Sequence, residues 1–178
     1  MKFRALCFVF AAFSGLVLLA QEKEPPTAQI QRGRDLFLKS PKGVACSTCH
    51  SMAGIGTAVG PNLSKLTALA TPRGVLSAIQ MTMTENVQQV KTAGGTFPGI
   101  QKSKQGDDVE VWDLSSTPPV LRKLTSKAIV SMTRDQSWKH PPAAADYTSQ
   151  ELADIIGFLR WATNGTQEKI TAAQIDGH

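Results

Sequence analysis

The sequence predicts a mainly α domain with a small antiparallel β-sheet inserted before its last helix. Three observations carry this expectation. Helical apolar spacing marks a segment near residue 30, a capped and strongly apolar stretch runs from Thr148 to Trp161, and residues from about 86 to 133 lose helical periodicity in favour of short strand-like runs. A chain of 178 residues with 42% hydrophobic side chains suits one folded domain. Aromatics are only 6%, so the core must rest on Ala, Val, Leu and Ile, or on something that is not protein. The net charge of +5 is spread thinly and two of its cations lie in the first four residues, which argues against a nucleic-acid footprint. Three cysteines are too few for a disulfide scaffold.

In chain order, Lys2 and Arg4 precede the uncharged run from Ala5 to Ala20, the outline of a secretory signal peptide over residues 1–20. The alternative is a retained anchor, but the run falls short of the roughly 20 residues needed to span a bilayer. Cleavage would remove Cys7, and residues 21–27 read as a linker. The expected domain covers residues 28–162. In AQIQRGRDLFLKS, Ile30, Gly33, Leu36, Phe37 and Leu38 form a helical stripe, with Gly33 letting a partner approach. Thr71-Pro72 opens a second helix through Val75, Leu76 and Ile79. Gly94-Gly95 signals a hairpin, and 108–114 and the runs after Pro119 supply further strands, so the sheet is placed at about 86–133. Thr148 and Glu151 have capping-box spacing ahead of Leu152, Ile155, Ile156, Phe158, Leu159 and Trp161, and Gly165 ends that helix. Residues 163–178 read as a flexible tail.

The chemistry lies in VACSTCHSM. Cys46 and Cys49 are three positions apart and His50 follows directly, the spacing of a c-type haem attachment site. Two thiols on one turn can add to the two vinyl groups of a haem as thioethers, and the adjacent imidazole then lies beneath the iron. A thioredoxin-like pair would need a βαβ context, whereas Gly54, Gly56, Gly60 and Pro61 follow at once. A zinc site would need a second ligand pair, and only His140 and His178 remain. A disulfide between Cys46 and Cys49 would close too small a loop to stabilise much. No Ser/His/Asp set or nucleotide-binding glycine motif is present, and Asp107-Asp108 reads as a solvated turn.

RGRDLF, CSTCH, GIGTAVGPNL and ELADIIGFLRW together resemble the mono-haem cytochrome c fold, within it the bacterial haem-binding domains that carry a β-rich insertion before the distal ligand. The resemblance covers about 28–162. It implies a cytochrome c fold with one covalent haem c, helices crossing at Gly33 and Phe37 against the Phe158–Trp161 turn, and a hydrogen bond from His50 to the carbonyl of Pro61. Pro61 read without that resemblance is a turn residue. Related domains usually place a methionine before a proline ahead of the final helix, and DQSWKHPPAAADYTSQEL contains none. His140, before Pro141 and Pro142, stands in that position, and neutral imidazole is a good iron ligand. Met132, Met81 and Met83 are the competing candidates, with Met132 the principal one, while Met52 is too near His50 to reach the opposite haem face.

The function expected is an exported, periplasmic electron carrier whose partners are redox proteins, rather than an enzyme. A haem enzyme or gas sensor with an open sixth position is one alternative. The other is the electron-accepting subunit of a periplasmic dehydrogenase or respiratory complex, associated peripherally with the membrane.

Overall fold

A computed structural model of the protein describes residues 25–67, 71–81, 86–141 and 146–177. The expected signal peptide, Cys7, Met83, Pro142, His178 and residues 21–24 of the expected linker lie outside them. Helix α1 (Ala28–Leu38) starts at Thr27, whose hydroxyl accepts from the Ile30 amide and fills one of the vacant donors of a helix start. A 3-10 turn (Cys46–Thr48) leads into a hairpin of β1 (Ser51–Met52) and β2 (Ile55–Gly56). Ala53 and Gly54, both at positive φ, form its turn. Helices α2 (Ser64–Thr67) and α3 (Pro72–Gln80) follow, α3 capped by the Thr71 hydroxyl with Pro72 in its first turn.

Strands β3 (Gln88–Thr92), β4 (Gly95–Gln105), β5 (Asp108–Asp113), β6 (Val120–Thr125) and β7 (Ile129–Arg134) form one antiparallel sheet in the order β6-β5-β4-β3-β7. Helix α4 (Ser149–Asn164) carries the complete Thr148/Glu151 capping box and ends at Gly165 in the left-handed region. Short α5 (Ala172–Asp176) closes the described chain.

The expectation of a mainly α cytochrome c fold is overturned. The described residues are 36% helical and 27% strand, and the sheet has five strands. Its size follows from β4, which runs eleven residues through Pro98 and Gly99. Gly99 lies so close to Val111 and Val90 that a side chain there would collide with both. The glycine is therefore part of the sheet's packing rather than an interruption of the strand. Two separate apolar cores result: Val90, Phe97, Val109 and Val111 in the sheet, and a larger helical core around Phe37, Phe158, Ile156 and Met52.

Helix α4 is the axis of the helical core and packs against α1, α2, α3 and α5. Its crossing with α1 is tight at Gly33, where any side chain would run into the Asp154 backbone and Phe158. One turn on, the Phe37 and Phe158 rings meet at 5.4 Å. Asp154, buried at this crossing, accepts from Arg32 Nε (2.7 Å), Gln150 (2.9 Å) and Gln29 (3.1 Å). Burial works against its charge, but those bonds outweigh it and hold the carboxyl below the usual range. Where the composition suggested a flexible tail over 163–178, the described residues place Ile170 and Ile175 in the helical core and give α5 its own Thr171/Gln174 capping box.

Candidate haem site

The Cys46–Thr48 turn is closed by the amides of Cys49 and His50, both donating to the Cys46 carbonyl. Loop 57–63 then folds back over it. The Gly60 amide donates to the Cys49 carbonyl at 2.7 Å, the Val59 amide to the same oxygen at 3.1 Å, and the Leu63 amide to Ser51. The turn is thus held in place by backbone bonds on its far side.

Cys46 and Cys49 are free, partly buried thiols, and burial pushes both pKa values up. They stay protonated at neutral pH, in the form that adds across a vinyl group. His50 Nδ1–H donates to the Pro61 carbonyl at 2.8 Å, which fixes the proton on Nδ1 because a carbonyl only accepts. Its Nε2 lone pair is left for a metal. Burial is the main cause that lowers the His50 pKa, outweighing the Pro61 bond, so the ring is neutral as ligation requires.

The chain makes room for this ring with glycine. A Cβ on Gly60 would sit 2.8 Å from His50 Cε1 and 3.1 Å from Nδ1, and one on Gly56 would strike the His50 carbonyl. The sequence pattern alone does not show this role. The available signal was the position of Gly60 immediately before the accepting Pro61.

His140 lies on the segment that leaves β7. Its ring faces that of His50 at 5.9 Å between centroids, with 35° between planes. Nδ1–H of His140 donates to the Pro141 carbonyl at 2.6 Å, again leaving Nε2 for a metal. Two metal–imidazole bonds of about 2 Å each, with the ring radii added, put the centroids of two trans imidazoles about 6 Å apart. Thiols, neutral imidazole and open Nε2 atoms therefore fit a haem c. Of the methionine alternatives, Met132 packs against the sheet core, Met81 is 66% exposed, and Met52 is buried in the helical core.

Sequence reasoning also missed what surrounds His140. Trp138 stands edge-on to it, with centroids 6.1 Å apart at 85°. Beyond the ring, Tyr147 donates to the Ser40 hydroxyl at 2.6 Å, and Lys42 donates to the Asp146 carbonyl and the Glu151 carboxylate. These bonds tie the segment after His140 to the stretch just ahead of Cys46.

A turn that carries two thiols followed directly by a neutral imidazole has the make-up of a covalent haem-binding site. Residues 30–116 match the model of the cytochrome c family. The matched region holds most of α1, the Cys46–His50 turn, Pro61, α3 and strands β3 to β5, while His140 and α4 lie beyond it. The match supports a c-type cytochrome with a haem-based electron-transfer role. Cytochromes c bind haem c covalently, and Cys46 and Cys49 have the spacing that holds it. A comparison with curated proteins finds no match.

Proposed function

We propose that the protein is an exported, periplasmic mono-haem c-type cytochrome that carries single electrons between redox protein partners, with His50 and His140 as the residues that would hold the haem iron. The observation that carries this reading is the facing pair of histidines, each with its Nδ1–H on a backbone carbonyl and its Nε2 open. Haem, when bound, supplies the one-electron chemistry. The chain's own residues hold it and set its potential. Cys46 and Cys49 fix it covalently, the Pro61 carbonyl orients His50 and strengthens it as a donor, and an imidazole in place of a thioether lowers the potential. Export is supported by the basic and apolar start of the sequence, Lys2 and Arg4 before Ala5–Ala20.

The test is the visible spectrum of the haem-loaded protein. Denatured wild type should keep its haem through acid-acetone extraction. The far-red band of sulfur-to-iron ligation should be absent from the oxidised form. Ferrous wild type should resist carbon monoxide, and His140→Ala should bind it. A far-red band in wild type that persists in His140→Ala would overturn the assignment in favour of Met132, and strong carbon monoxide binding by wild type would favour an open-site enzyme or sensor.

A further inference from the structure

Between the end of β7 and His140 stands Asp135, a carboxylate on a residue only 6% exposed. A buried carboxylate costs free energy unless donors converge on it. Here a single oxygen, Oδ1, accepts three hydrogen bonds, from the Ser137 hydroxyl (2.6 Å), the Ser137 amide (2.9 Å) and the Trp138 amide (3.1 Å). The Asp135 amide donates to the Val87 carbonyl at 2.8 Å, pinning the same residue to the chain entering β3. The turn at the sheet exit is therefore fixed in backbone and side chain at once.

Its product is the placement of Trp138, whose ring meets His140 edge-on. Among the described residues, the hydrogen bond of His140 is a local one, to the next residue's carbonyl, which sets its tautomer but not where it stands relative to His50. That position must come from the two ends of its segment: the Asp135 turn on one side and the Tyr147–Ser40 and Lys42–Asp146 bonds on the other.

We propose that Asp135 is the positioning residue for the distal ligand: its turn seats Trp138 against His140, holds that imidazole opposite His50, and so sets how readily the sixth iron position opens. The proposal rests on the reading of His140 as an iron ligand. Asp135 is not one of the proposed ligands; it acts through Ser137 and Trp138.

The experiment compares haem-loaded wild type, Asp135→Ala, Asp135→Asn, His140→Ala and Val111→Ala, the last removing methyls from the sheet core well away from the turn. The readouts are carbon monoxide association with the ferrous protein and amide hydrogen exchange at Ser137 and Trp138. Asp135→Ala should bind carbon monoxide faster by at least the order of tenfold, the ratio that one lost hydrogen bond to a charged group is worth, and should lose protection at both amides. Asp135→Asn keeps an acceptor oxygen and should stay near wild type, as should Val111→Ala. If Val111→Ala opens the site as much as Asp135→Ala, sheet stability is the cause and the proposal fails. If His140→Ala opens the site while Asp135→Ala matches wild type, the positioning role is wrong and the ligand assignment survives. If His140→Ala changes nothing, the ligand assignment itself is lost. Should Asp135→Ala yield no haem-loaded protein, Trp138→Ala decides, since it leaves the carboxylate's bonds in place; carbon monoxide binding at the wild-type rate would overturn the proposal.

Discussion

Replacing Gly60 with alanine tests how the proximal imidazole is held. The new Cβ would stand 2.8 Å from His50 Cε1 and 3.1 Å from Nδ1. Comfortable carbon contact begins near 3.5 Å, so the ring must recede by about 0.7 Å. The ring's neighbour is the Pro61 carbonyl at 2.8 Å, and a displacement of that size takes this hydrogen bond to the edge of useful geometry. Overpacking of this kind costs about 1–3 kcal/mol, and a weakened neutral hydrogen bond adds about 0.5–1.5 kcal/mol. Gly60→Ala should therefore lower the unfolding free energy of the haem-loaded protein in urea by about 1.5–4.5 kcal/mol. Its midpoint potential should rise, because an imidazole that has lost its Nδ1–H bond is a poorer donor to oxidised iron. Gly94→Ala is the control. Its Cβ would find its nearest atom, Thr92 Oγ1, at 3.7 Å, an ordinary contact, so it should change neither quantity. Equal stability and equal potential in the two variants would refute the cradle argument.

Two further predictions concern the scaffold. Asp154→Ala strips the acceptor shared by Arg32, Gln29 and Gln150 at the α1–α4 crossing and should cost about 2–4 kcal/mol in urea unfolding; Arg32→Ala should cost less, because Arg32 is 56% exposed and the two glutamines still donate to Oδ1, although Oδ2 loses the Arg32 bond. Equal losses would show that the charge pair and not the buried acceptor matters. Glu151 has its pKa lowered from 4.5 to about 2, first by Lys42 and then by Thr148. The folded-state value lies below the ordinary one, so its stabilisation is complete above pH 4.5 and is lost as pH falls through about 2. Glu151→Gln should flatten the stability profile in that window, and an unchanged slope would count against the Lys42 contact.

The attachment turn and the helical frame were legible because each rests on short-range rules. Cys46, Cys49 and His50 are adjacent in sequence, the α1 stripe recurs at helical spacing, and the Thr148/Glu151 box is a four-residue signature. The bounds of the sheet were legible too, expected at about 86–133 and found from Gln88 to Arg134, but the full length of β4 was not. After Ile100 the strand reads Gln101, Lys102, Ser103, Lys104, Gln105, with no apolar alternation, and a register shift between Gln101 and Ser103 breaks what period remains. Helix α5 has only five residues, too short for a periodic signal, so the burial of Ile170 and Ile175 depends on tertiary contact with α4. Gly60 and Asp135 escaped for a related reason. Each acts on a side chain that local sequence does not place beside it.

The correction from a mainly α fold to a helical core plus a five-stranded sheet changes how the two facing histidines are carried. His50 is carried by the turn that packs beside the helical core, through Cys46. His140 is carried by the chain leaving a sheet whose apolar core is its own. Their separation therefore depends on how the chain is held on either side of His140, and the described bonds there are polar: the Val87–Asp135 bond at the base of the sheet, and the Ser40–Tyr147 and Lys42–Glu151 bonds beside the attachment turn. Polar joins of this kind contribute about a kcal/mol each, far less than either core. Disturbing them should move the distal imidazole without unfolding the helices or the sheet. If His140 is the sixth ligand, as proposed, control of that position would lie in hydrogen bonds at the ends of one short segment rather than in the packing of the cores.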